Sequence, residues 1–78
     1  MKLNIKPNLH TGGKYVTFEK DGNYYYADRS WTLDWGMETM IFPCNEDGEV
    51  SDWSELYCDH SGKSLEECVE EFVKSLEK

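Results

Sequence analysis

Several features that define common protein classes are scarce in this sequence. It has two prolines and three cysteines in 78 residues, and no apolar run suits a signal peptide or the roughly 20 residues that cross a bilayer. An odd number of cysteines without a Cys-x-x-Cys pair is a poor basis for disulfides, so we expect Cys44, Cys58 and Cys68 to be reduced thiols. These absences predict a cytoplasmic protein that contacts no membrane.

Basic residues are also scarce, with eight against sixteen acidic ones and a formal charge of −8. The imbalance lies in one part of the chain. Residues 1–33 carry five basic and three acidic side chains, whereas residues 34–78 carry three basic and thirteen acidic ones. Because such a surface repels phosphate on average, we expect no direct binding to nucleic acid.

The length allows one domain, residues 1–78, and its end predicts a helix of about 13 residues. Ser64 followed by Glu67 forms a capping-box pattern at the start of this helix. Apolar residues then recur at helical spacing and form one stripe: Leu65, Cys68, Val69, Phe72, Val73 and Leu76. A helix this short is marginal alone, so we expect the stripe to dock on another element.

The preceding residues favour strands. Asp21-Gly22 is a tight-turn dipeptide between two β-prone runs, which predicts a hairpin. The expected segments are Tyr15–Lys20, Asn23–Asp28, a third near Ser30–Leu33, Glu38–Cys44, Trp53–Asp59 and an optional N-terminal strand at Lys2–Lys6. Pro43 cannot donate to a ladder and marks a sheet edge or a strand end. We therefore expect an α+β fold, an antiparallel sheet of four to five strands with the C-terminal helix packed on one face.

Side-chain alternation divides the last predicted strand between the two faces of the sheet. We expect Leu56 and Cys58 to lie under the helix. Trp53, Glu55 and Tyr57 then lie on the open face, together with one parity of the three tyrosines 24–26.

Patterns for metal binding and catalysis are weak. Cys44, Cys58, His60 and Cys68 are zinc-ligand types, but they lack the paired short spacings of zinc sites. Cysteine and histidine form a nucleophile–base pair only in a defined geometry, which sequence cannot show. The sequence therefore predicts no catalytic residue, no metal and no cofactor, and a metal-assisted enzyme using Cys44, Cys58 and His60 ranks behind two binding hypotheses.

The acidic part of the chain also carries aromatic residues, and together these are typical of protein-binding surfaces. Aromatic side chains supply buried area, while carboxylates steer a basic partner. The alternative is an acidic face that only keeps the protein in solution. The predicted partner-binding residues are Trp35, Glu46, Asp47, Glu49, Asp52, Trp53, Glu55, Tyr57 and Asp59.

Residues 31–59 contain a distinctive pair of motifs. Glu38–Cys44 reads ETM, a hydrophobic residue and FPC, and Gly48–Leu56 reads G-x-V-x-x-W-x-E-L. This arrangement resembles an uncharacterised family of small acidic proteins from Gram-positive bacteria, their phages and mobile elements. The resemblance implies a mobile-element protein that acts in the host cytoplasm if it is phage-encoded, and it carries over no catalytic residues.

Phages use acidic domains as inhibitors of host defence, including anti-CRISPR and anti-restriction proteins that occupy basic nucleic-acid-binding grooves. By this analogy we expect a non-enzymatic inhibitor that blocks such a groove on a host or defence-system protein. The second hypothesis is a nucleotide-binding or sequestering protein that acts as an oligomer and stacks its ligand on the open aromatic face. A homodimer is open under both hypotheses.

Overall fold

Five strands and one helix make up the computed structural model, which describes residues 3–77. The elements are β1 (Lys6–Pro7), β2 (Lys14–Lys20), β3 (Asn23–Thr32), β4 (Gly36–Cys44), β5 (Tyr57–Asp59) and α1 (Leu65–Leu76). The strands form one sheet in chain order, and each pairs antiparallel with the next. The predicted α+β fold is confirmed.

The β2–β3 hairpin forms around Asp21-Gly22 as expected. Both residues have positive φ, 53° and 83°, which is the backbone conformation of the type I′ turn that matches the twist of paired strands. Lys20 pairs with Asn23 on either side of this turn. The expected third segment near Ser30–Leu33 is not a separate strand, because β3 continues without interruption through Thr32.

Helix α1 begins with the predicted capping box. The Ser64 hydroxyl accepts from the Glu67 amide, and the Glu67 carboxylate accepts from the Ser64 amide. Hydrogen bonding of the Glu67 carboxylate to the Ser64 amide, and then to the Ser64 side chain, lowers the pKa of the Glu67 carboxyl. The helix buries Leu65, Cys68, Val69, Phe72 and Val73 against a sheet face made by Val16, Tyr25, Ala27 and Ile41.

The last strand is shorter than predicted and faces the other way. Residues 45–56 form a loop, and β5 includes only Tyr57–Asp59. Tyr57 pairs with Ile41, which is fully buried under α1, so Tyr57 lies on the helix side. The expectation that Leu56 and Cys58 lie under the helix is wrong: Leu56 is 51% exposed and Cys58 is exposed on the open face.

Two expectations concern strand ends. Pro43 lies one residue before β4 ends and beyond the three residues that β5 pairs, which confirms that it marks a strand end. The predicted N-terminal strand begins at Lys2, which lies outside the described residues. Within residues 3–77 the first strand forms only at Lys6 and Pro7.

Candidate functional site: the open sheet face and the hairpin tip

The sheet face opposite α1 carries a cluster of three aromatic side chains, Tyr26, Phe42 and Trp53, which the helix does not cover. Trp53, from the loop 45–56, packs edge-on against Phe42 and Tyr26, with ring centroids 5.0 and 6.5 Å away. Trp53 nevertheless keeps 65% of its surface exposed. Its predicted place on the open face is therefore correct, although a loop and not a strand puts it there.

A polar network borders this aromatic group. The Asn8 side-chain amide donates to the Asp28 carboxylate and to the Tyr26 hydroxyl, and its carbonyl accepts from the backbone amides of His10 and Thr11. The Tyr26 hydroxyl also donates to Asp28. Burial, followed by the charge of Asp28, raises the pKa of Tyr26 to about 12. This network fixes the loop after β1 to the open face.

The network and the aromatic rings line a shallow cavity of about 340 Å³. Its wall also includes Met40 from β4 and the carboxylates of Asp28 and Glu38. An aromatic platform suits a planar base, but carboxylates repel the phosphates of a nucleotide. The lining therefore does not favour the nucleotide-binding hypothesis.

The tip of the β3–β4 hairpin exposes three large apolar side chains. Trp31, Leu33 and Trp35 are 66%, 96% and 64% exposed. The turn that carries them is ordered, because the Thr32 hydroxyl accepts from the Trp35 amide and donates to the Gly36 carbonyl. Exposed apolar residues grouped on a defined turn are typical of an interaction surface.

The acidic loop 45–56 lies across the open face. Its first turn is closed by the Asn45 side chain, whose carbonyl accepts from the amides of Asp47 and Glu49. A Cβ added to Gly48 would lie 3.3 Å from the Thr17 side chain of β2, so this turn packs directly on the sheet. The predicted residues that share this loop with Trp53 are Glu46, Asp47, Glu49, Asp52 and Glu55, all exposed.

Two predicted partner-binding residues lie elsewhere. Tyr57 packs edge-on against Phe72, and its hydroxyl contacts Glu71 of the helix. The Asp59 carboxylate accepts from the amide and hydroxyl of Ser61 and from the Cys68 thiol, and the Ser61 bonds lower the pKa of Asp59. Tyr57 and Asp59 therefore hold the helix connection on the sheet and do not belong to the open face.

The four cysteine and histidine residues that the sequence offered as zinc ligands do not lie together. Cys68 lies on α1 and is buried against the sheet, and Cys44 lies opposite Tyr24 at the end of β4. Cys58 and His60 do meet, and a carboxylate that the sequence did not suggest, Glu38, joins them. The sequence feature that could have indicated the contact between Cys58 and His60 is their Cys-x-His spacing, because it puts both side chains on one face of an extended segment.

Comparison with known protein families, curated proteins and solved structures finds no match in any of the three. The resemblance of residues 31–59 to small mobile-element proteins therefore stays a prediction. Within residues 3–77, no helix has the length and apolar character to span a bilayer.

Proposed function

We propose that this chain is a non-enzymatic binding protein that docks on a basic protein surface. The observation that carries this proposal is the apolar hairpin tip of Trp31, Leu33 and Trp35, which is held in an ordered turn and stays 64–96% exposed. In known complexes, a few exposed aromatic residues supply most of the binding energy. The hairpin tip fits that role better than it fits a core.

Charge selects the partner. The five carboxylates of loop 45–56 have no basic residue among them, and the whole chain carries −8. The Arg29 guanidinium donates to Thr39 and to the Ser61 carbonyl, so it points to the helix side. Lys6 of β1 lies opposite Tyr15 on the open face, but the five loop carboxylates together with Asp28 and Glu38 outweigh its charge. The open face therefore attracts lysine- and arginine-rich surfaces.

A groove that binds nucleic acid has this composition, because it is built to neutralise phosphates. An acidic loop on a rigid sheet offers carboxylates in place of those phosphates. The proposed activity is therefore competitive: the protein occupies the basic groove of a nucleic-acid-processing protein in the host cytoplasm. A phage or mobile-element inhibitor of host defence, of the anti-CRISPR or anti-restriction type, is the biological role that this activity suits.

The experiment begins with affinity capture to obtain a partner and then measures the purified complex. We expect the affinity to fall at least about tenfold between about 50 and about 500 mM salt. We also expect the protein to displace nucleic acid from the partner. Trp35→Ala should weaken the complex about thirtyfold, which corresponds to a hot-spot loss of about 2 kcal/mol.

A charge-matched pair of variants locates the contact. Glu46→Gln with Glu49→Gln removes two charges from the loop, and Glu66→Gln with Glu70→Gln removes two from the exposed side of α1. The loop pair should weaken binding and reduce its salt dependence, whereas the helix pair should change neither. Equal effects of both pairs, or an affinity that ignores salt, would contradict the proposal.

A further inference from the structure

Strand register brings Glu38, Cys58 and His60 together. Met40 pairs with Cys58 and Thr39 with Asp59, so the same register continued by one residue places His60 opposite Glu38. Cys58 and His60 are two residues apart and therefore point to the same side of the sheet. That side is the open face.

The three potential ligand atoms lie close to the spacing of a metal site. Cys58 Sγ lies 3.5 Å from His60 Nε2 and 3.8 Å from Glu38 Oε2, and Nε2 and Oε2 lie 2.7 Å apart. Tetrahedral zinc, with bonds of about 2.3 Å to sulfur and about 2.0–2.1 Å to nitrogen or oxygen, separates its ligands by about 3.3–3.6 Å. Two separations already lie within a few tenths of an ångström of these values, and the third needs a small expansion.

The geometry differs from that of a catalytic triad. In a triad the nucleophile and the carboxylate contact opposite nitrogens of the imidazole. Here the Cys58 thiol and the Glu38 carboxylate both approach Nε2 of His60. Three donor atoms that converge on one point are suited to holding a cation between them.

The surroundings hold two of the three side chains in place. The Trp35 ring stacks on the His60 imidazole at 5.0 Å with an interplanar angle of 21°, which limits rotation of the histidine. The Glu38 side chain is only 20% exposed, so its carboxylate has little freedom to turn away.

The geometry points to a zinc site formed by Glu38 Oε2, Cys58 Sγ and His60 Nε2 on the open face of the sheet. A mixed sulfur, nitrogen and oxygen donor set suits zinc and not calcium or magnesium, which prefer oxygen alone. Three protein ligands leave the fourth tetrahedral position to water or to a partner side chain. The site does not depend on the proposed function, since it needs no partner to form.

The test uses the reduced full-length protein with cobalt(II) and zinc(II) as probes. Cobalt(II) should give a thiolate charge-transfer band in the near ultraviolet and strong visible bands of tetrahedral geometry, and one equivalent of zinc should abolish both. X-ray absorption of the zinc-loaded protein should show one sulfur neighbour at about 2.3 Å. Zinc at a hundredfold excess over its Kd should also stabilise the fold by about 2.7 kcal/mol.

Matched variants separate the site from adventitious binding. Cys58→Ser, His60→Gln and Glu38→Gln should each lower zinc affinity at least about tenfold. Cys44→Ser and His10→Gln are the controls, and they should retain full affinity, because neither residue contributes a ligand atom to the group. Circular dichroism without metal establishes that each variant is folded. Two outcomes overturn the site: a cobalt band that persists in Cys58→Ser, or no sulfur neighbour in wild-type X-ray absorption.

Discussion

Replacing Phe72 tests which face of the sheet the helix covers, and thereby which face is free to bind. Phe72 is 4% exposed and makes edge-on contacts with Phe18, Tyr25 and Tyr57, with ring centroids 6.3, 5.1 and 6.1 Å away. Truncation of a buried phenylalanine to alanine costs about 3–5 kcal/mol, because it removes apolar contact and leaves a cavity. The whole fold has about 4–12 kcal/mol for its 78 residues. Phe72→Ala should therefore remove about a quarter or more of the stability.

Phe72→Leu divides this loss into its parts. Leucine keeps most of the buried apolar volume but loses the three edge-on aromatic contacts, each worth about 0.5–1.5 kcal/mol beyond burial. We expect Phe72→Leu to lower the free energy of unfolding by about 2 kcal/mol, which is less than Phe72→Ala loses. Leu76→Ala is the control on the same helix, since Leu76 is 41% exposed and should cost less than about 1 kcal/mol.

Urea unfolding followed by circular dichroism measures these differences. A slope of about 1–2 kcal/mol per M converts the expected loss in Phe72→Ala into a midpoint lower by about 1.5 M or more. The slope should stay constant, which shows that the unfolded states are comparable. If Phe72→Ala unfolds within about 1 kcal/mol of Leu76→Ala, the helix does not pack on the face described, and the assignment of the open face fails with it.

Two further predictions use the close packing and the titration of single residues. Gly13→Ala places a Cβ 2.0 Å from the Arg29 carbonyl oxygen, so we expect a loss of about 2 kcal/mol and a Tm lower by about 8 °C or more. Gly62→Ala, with nothing within 4 Å of its added Cβ, should change the Tm little, and equal effects of the two would contradict the packing. Because the folded pKa of Tyr26 is raised to about 12 from 10.0, its neutral form stabilises the fold fully below pH 10, and that stability is lost as the pH rises toward 12. Tyr26→Phe should lose less stability than wild type over this interval in denaturant titrations, and parallel pH profiles would refute the shift.

Local signals in the sequence located the regular elements well. The Ser64–Glu67 capping box and the stripe ending at Leu76 define α1, because capping bonds and helical spacing involve residues within one or two turns. Asp21-Gly22 defines the β2–β3 hairpin for the same reason, since positive φ at both positions is a local requirement.

The placement of side chains on the last strand could not be predicted in this way. Alternation shows that Tyr57 and Cys58 face opposite sides, but it does not show which side meets the helix. The pairing of Tyr57 with Ile41, which is buried under α1, makes that choice. A shift of one residue in this register would reverse it.

Local sequence patterns are enough to establish the α+β class, the helix, the central hairpin and the concentration of carboxylates between residues 46 and 59, because these depend on neighbours along the chain. Tertiary structure alone decided that Trp53 lies on the open face from a loop, that Tyr57 and Asp59 support the helix, and that Glu38 joins Cys58 and His60. The placement of Trp53 depends on how its loop packs on Tyr26 and Phe42, and the other two depend on strand register. Both are set by contacts between residues that are far apart in the chain.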